Sequence, residues 1–319
     1  MLKFINNNIT IQWILVIFLV AFSLFTIFTK SQFANIEKNA FIFISFSNLF
    51  TQHIILGKIL LVIILLLQIF LLQYFFRKND FISKFSLLPS CFYLSILLLT
   101  KSLAIISPFF FTLLFFLIII STNYTAPSAQ LKNNAFWVGM MIALGTAFDT
   151  SSIILLLLAI ITLIINHFSK MKEVGILIFG FSLVYLYFFS YHFFMNNLNE
   201  WLISFQQIQI LEILNKKNFM HPITIISLIV LGITYSYFII RTKLISDSKV
   251  VLVRKKVVSL NTWALMLIVC VFLSNSSYPR CLGYLFVPIS IYLTMLAQER
   301  NPLYINELVT FITLLTIWL

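Results

Sequence analysis

With only nine acidic residues and four histidines in 319, each group able to move a proton or hold an ion can be weighed singly. Asp149 stands apart. It interrupts the apolar run AFWVGMMIALGTAFDTSSIILLLLAIITLIINH, Ala135–His167, and its polar neighbours are Thr146, Thr150, Ser151 and Ser152. A carboxylate at membrane depth is costly, so a catalytic or ion-handling role is its default reading. Asp followed by Thr-Ser-Ser is also a good helix start, with the carboxylate accepting from free N–H groups. Both roles are open to it. Glu37, in NIEKN, is a second candidate catalytic carboxylate, or a solvated neighbour of Lys38. Arg280, in SNSSYPRC, suits a phosphate or carboxylate through its guanidinium fork, or a lipid headgroup. His192 and Glu200 are candidate substrate-binding groups, and a surface amphipathic helix explains them, with Glu212, equally well. Glu307 belongs near an interface.

The remaining chemistry is thin. There is no Gly-rich phosphate loop, no HExxH, no CxxC and no nucleophile elbow. Cys91, Cys270 and Cys281 lack paired metal-ligand spacing, so no metal site is expected and no cofactor is specified. The net charge of +12 invites a nucleic-acid reading, but no groove-reading helix or RNA-binding sheet is present. Basic residues of this kind mark the cytoplasmic loops of membrane proteins.

The elements that must position these groups follow from composition. The chain is 61% hydrophobic and 9% charged, where a soluble domain carries about 25% charged residues. Its apolar residues fall in long blocks, the pattern of transmembrane helices. The expectation is an all-α polytopic integral membrane protein with about eleven membrane segments, forming a single transmembrane domain over 1–319. The segments are Ile11–Phe28, Ile54–Phe76, Phe85–Leu99, Leu103–Ile120, the two limbs of 135–167, Val174–Phe194, Ile223–Ile240, Thr262–Leu273, Gly283–Leu296 and Tyr304–Leu319. Residues 30–53 and 195–221 read as outer interfacial segments, and 241–258 as a basic cytoplasmic loop. Lys58, one turn inside the second segment, reads as a snorkelling structural lysine. The hydrophobic blocks show no evident internal repeat.

The central run decides the topology. As one straight helix, Phe136–Asn166 would extend about 46 Å at about 1.5 Å per residue, against a hydrocarbon core about 30 Å thick. A helical hairpin with the N-terminus inside puts 14 basic residues on the cytoplasmic side and 6 outside. A single crossing gives 8 against 12. The positive-inside asymmetry favours the hairpin. It places Asp149, Glu37 and 195–221 outside, with Asp149 either at the interface or held just beneath it in a re-entrant turn.

Three stretches carry a resemblance: Ser31–Leu99, then KNNAFWVGMMIALGTAFDTSSIILLLLAIITLII with the Tyr/Phe-rich segment after it, then SSYPRCLGYLFVPISIYLT. Together they resemble a Bacteroidota family of polytopic inner-membrane proteins of unknown function, which implies a bacterial inner-membrane location. A carotene-oxygenase label attached to some members would require several converging histidines, and His53, His167, His192 and His221 are all there are. The layout is also similar to that of C-type membrane glycosyltransferases. That likeness implies the lipid bilayer and a lipid-phosphate-linked sugar as partners, Glu37 and Asp149 as the carboxylates and Arg280 as a phosphate contact. The paired acidic residues typical of that family's first outer loop are missing here. A transporter with Asp149 in a polar cavity, or a non-catalytic subunit of an envelope complex, are the alternative expectations.

Overall fold

The structure is a computed structural model that describes residues 8–30, 32–33, 52–79, 86–100, 103, 105–106, 108–125, 131–167, 171–196, 230, 232–242, 251–273, 284–298, 307, 310 and 312–313. They form helices α1 (Ile9–Lys30), α2 (Ile54–Lys78), α3 (Leu88–Leu99), α4 (Pro108–Thr125), α5 (Leu131–Phe148), α6 (Ile154–His167) and α7 (Met171–Phe194). Three more follow: α8 (232–242), α9 (Val251–Leu273) and α10 (Phe286–Ala297). A 3-10 turn, Thr150–Ile153, joins α5 to α6. Among the described residues, the only strand pairing is the two-residue parallel β1 (Gln32–Phe33) with β2 (Ile105–Ile106). The all-helical expectation holds.

Among the described residues, three helices are long and apolar enough to cross a membrane: Ile9–Thr29, Ile54–Lys78 and Met171–Phe194. Their outward faces carry Ile17, Phe18, Ile55, Phe70, Phe179 and Tyr187, all exposed. A water-soluble protein rarely shows contiguous apolar patches above a few hundred Å², whereas lipid tails solvate such faces. Leu88–Leu99, Ile154–Ile164 and Phe286–Ala297 are apolar but shorter.

Polar side chains tie the helices together, and their pairings give the helices their directions. Lys58 Nζ donates to the Phe28 carbonyl at 2.6 Å, so the start of α2 meets the end of α1. That lysine neutralises one of the unpaired carbonyls of α1's last turn, a more specific role than snorkelling. Gln73 Nε2 donates to Ser90 Oγ at 2.8 Å and Tyr93 OH to Gln68 Oε1 at 2.9 Å, so α3 runs back along α2. Gln12 Oε1 accepts from the Leu87 N–H (2.8 Å) and Ser86 Oγ (3.2 Å), bringing the start of α3 to the start of α1. We call that the near end of the bundle. The register Gln32↔Ile105 and Phe33↔Ile106 then brings the start of α4 to the far end, beside the end of α1.

Helix α4 is the hub, touching α2, α5 and α6. The Phe148 ring at the end of α5 stacks on Phe111 near the start of α4, centroids 5.5 Å apart. Helix α5 is therefore antiparallel to α4 and also ends at the far end. Tyr284, two residues before α10, donates to Thr112 Oγ1 at 2.8 Å, so α10 starts from the far end too. At the centre α3 packs against α10. Each is twelve residues long, and every residue of α10 is buried.

Several boundaries differ from the hydropathy reading. Helix α9 begins at Val251, eleven residues before the expected Thr262, and α8 extends through residue 242. The two helices thus take 241–242 and 251–258 out of the basic stretch 241–258. Val253 and Val257 are buried a turn apart while Arg254 faces outward, an amphipathic opening turn that its charges disguise as loop. Of the two stretches expected to be outer interfacial segments, 30–53 is described at 30, 32–33 and 52–53 and 195–221 at 195–196; the rest lies outside the described residues. Asn196 closes α7 with φ 56°, a left-handed conformation that Asn tolerates at helix ends.

Candidate functional site at the α5–α6 break

Helix α5 is rich in small residues and packs along α7 by close backbone contact. A Cβ on Gly139 would fall 2.1 Å from the Leu177 carbonyl oxygen, and one on Gly180 would fall 2.4 Å from that of Phe136. Glycine alone permits that approach, the packing device of membrane helices. Further along, Thr146 Oγ1 and Tyr185 OH are 2.6 Å apart. Thr146 already donates to the Ala143 carbonyl at 2.8 Å, so the phenol donates to the threonine. Residues 136–139 meet 177–181 and Thr146, farther along, meets Tyr185, so α5 and α7 run in the same direction.

That parallel register requires the chain to reverse between them. Trp263 on α9 locates the reversal. Its ring lies 5.4 Å from that of Phe116, and its indole N–H donates to Thr162 Oγ1 on α6. Phe115, the residue before Phe116, lies against Gly145. A straight continuation would carry Thr162 about 25 Å beyond Gly145 at about 1.5 Å per residue, out of the indole's reach. Helix α6 therefore folds back from the break at Asp149.

The break has a local cause. Asp, Thr and Ser bond to nearby backbone and weaken helix interiors, and four such residues occur in succession at 149–152. The Asp149 N–H makes the last α5 bond, to the Gly145 carbonyl at 2.9 Å. Its own carbonyl accepts from the Ser152 N–H (3.0 Å) and Ser152 Oγ (2.8 Å), so the 3-10 turn closes through the aspartate's main chain. Asp149 is 2% exposed, with Thr146 and Ser152 buried beside it and Phe148 sealed onto Phe111 and Phe115. Asp149, Thr146 and Ser152 are thus buried near the far end, where Thr146 also bonds Tyr185 of α7.

His192 joins that end. It is buried on the α7 face that also carries Leu177, Gly180 and Val184. Using the Thr146–Tyr185 pairing as register, His192 lies about 6 Å farther along the axis than Asp149, at about 1.5 Å per residue. Glu37, Glu200 and Arg280 lie outside the described residues. No group of three metal-ligating side chains occurs among the described residues. Tyr185 escaped the sequence reading because nothing marks it within a helix full of Tyr and Phe. Gly139 and Gly180, which set the register, were the available signal. No family model, curated protein or solved structure matches the chain.

Proposed function

We propose that the chain is a multi-pass carrier of the bacterial inner membrane, in which Asp149 is the ionisable group of a proton pathway opening at the outer face. The carrying observation is an aspartate 2% exposed at a helix break inside an otherwise apolar run, with buried Thr146 and Ser152 within three residues of it in the chain. Intramembrane carboxylates in such settings serve as proton relays, and broken helices are tolerated where protein or water satisfies the freed backbone. About eleven membrane segments with a cytoplasmic N-terminus fit this reading. Its support is the folding back of α6 together with the basic-residue count of 14 inside against 6 outside.

Asparagine caps a helix about as well as aspartate but carries no exchangeable charge, so it separates relay from cap. The test is proton flux into proteoliposomes holding a lumenal pH dye, driven by an imposed membrane potential. Wild-type protein is expected to carry flux above empty vesicles. Asp149→Asn should fall to the empty-vesicle level with an unchanged unfolding midpoint. An Asn variant with wild-type flux, or wild-type protein indistinguishable from empty vesicles, overturns the proposal.

A further inference from the structure

Helices α3 and α10 share a sequence pattern as well as a length. Aligned on Pro89 and Pro288, they read P-S-C-F-Y-L-S-I-L and P-I-S-I-Y-L-T-M-L, the common form being P-x-x-x-Y-L-[ST]-x-L. The shared tyrosines occupy matching environments. Tyr93 and Tyr292 are fully buried, and each donates its phenol proton to a side-chain amide oxygen on the long helix preceding it. Tyr93 donates to Gln68 Oε1 on α2 at 2.9 Å, and Tyr292 to Asn261 Oδ1 on α9 at 2.6 Å. The helix before that long one reaches the short helix in both cases. Gln12 on α1 holds the start of α3, and Tyr235 on α8 lies 3.0 Å from the Tyr292 hydroxyl. Each set is thus a first helix, a long helix with a buried amide, and a short buried helix with a proline in its opening turn.

We propose that α1–α2–α3 and α8–α9–α10 are two copies of one three-helix unit inserted with opposite orientations, meeting where α3 packs on α10. The opposition is carried by two contacts already described. Gln12 brings the start of α3 to the near end, whereas the Tyr284–Thr112 bond brings the start of α10 to the far end. Four helices, α4 to α7, separate the copies in the chain and carry the break at Asp149. Chain reversal at that break makes four crossings of the four helices, after which the second copy enters from the opposite side. Inverted repeats of this kind let one unit rock against the other around a fixed site. The α3–α10 contact is the surface on which they move. The moving-part role rests on the carrier reading; the repeat itself does not.

Sidedness tests it without any transport assay. Cysteines replace His53, Arg77 or Arg254, all exposed, in the full chain with Cys91, Cys270 and Cys281 changed to alanine. His53 and Arg77 bracket α2, and Arg254 lies in the opening turn of α9. A membrane-impermeant maleimide is applied to spheroplasts before and after permeabilisation. Opposite orientation predicts that H53C is labelled on intact spheroplasts, while R77C and R254C are labelled only after permeabilisation. If R254C is labelled together with H53C, or H53C and R77C share a side, the inverted repeat is overturned. If R77C and R254C are labelled on intact spheroplasts and H53C is not, the repeat stands and the cytoplasmic N-terminus of the carrier reading falls.

Discussion

Three glycine-to-alanine changes, two in α7 and one in α5, isolate what holds those helices together. Gly175, in the opening turn of α7, has nothing within 4 Å of a built Cβ, so Gly175→Ala changes only the backbone preference. Alanine is favoured over glycine inside a helix by about 0.5–1 kcal/mol, so that variant should be as stable as wild type or slightly more so. Gly139→Ala meets the Leu177 carbonyl oxygen at 2.1 Å, and Gly180→Ala meets that of Phe136 at 2.4 Å. Cβ contacts essentially stop at 3.0 Å. One helix must therefore retreat by roughly 1 Å, and because the obstacle is backbone no side-chain rotation relieves it. Overpacking of this kind costs about 1–3 kcal/mol, against which the helix-propensity term recovers less than 1 kcal/mol. The net loss expected for each is about 1–2 kcal/mol. It is read as a shifted midpoint in equilibrium unfolding by SDS in mixed micelles, followed by tryptophan fluorescence. Because a single retreat relieves both contacts, Gly139→Ala with Gly180→Ala should cost less than the sum of the two. If either variant unfolds like Gly175→Ala, or if the pair adds fully, the close parallel packing of α5 on α7 is wrong.

Two further outcomes use the same titration. Tyr93→Phe and Tyr292→Phe each remove the proton that a buried amide oxygen accepts, and each should cost about 1–3 kcal/mol; a surface-like loss of a few tenths would contradict their buried geometry. Lys58→Met should cost about 0.3–1 kcal/mol through the unneutralised end of α1 while Lys58→Arg retains most of the stability, and equal losses for the two would refute the carbonyl contact.

How far the sequence speaks depends on the kind of signal. The break at Asp149 was legible because length and charge both opposed one straight helix, and 149–152 hold four residues that favour turns. The start of α9 was not, because Arg254, Lys255 and Lys256 make a helical turn look like loop to any hydropathy count. The β1–β2 pairing joins residues more than seventy positions apart through backbone alone, and no side-chain pattern announces it. In the site, Asp149, Thr146, Ser152 and His192 were visible as polar residues in apolar surroundings. Tyr185 was invisible until the glycine contacts fixed which turn of α7 faces Thr146. The P-x-x-x-Y-L-[ST]-x-L match was in plain view, yet it has meaning only once both tyrosines are seen bonded to amides of preceding helices.

The complete enclosure of α10 has a consequence for biogenesis. A membrane chain is threaded from its N-terminus, and α1 to α9 precede α10 in that order. This fully buried helix is therefore delivered after nine others, its partner α3 among them. Until then α3 lacks its partner, and the nascent bundle must hold open a slot about 18 Å long, at about 1.5 Å per residue. Partly assembled bundles with uncovered packing faces are the species that misassemble. For this molecule α3 stays uncovered on that face until residues 286–297 have entered.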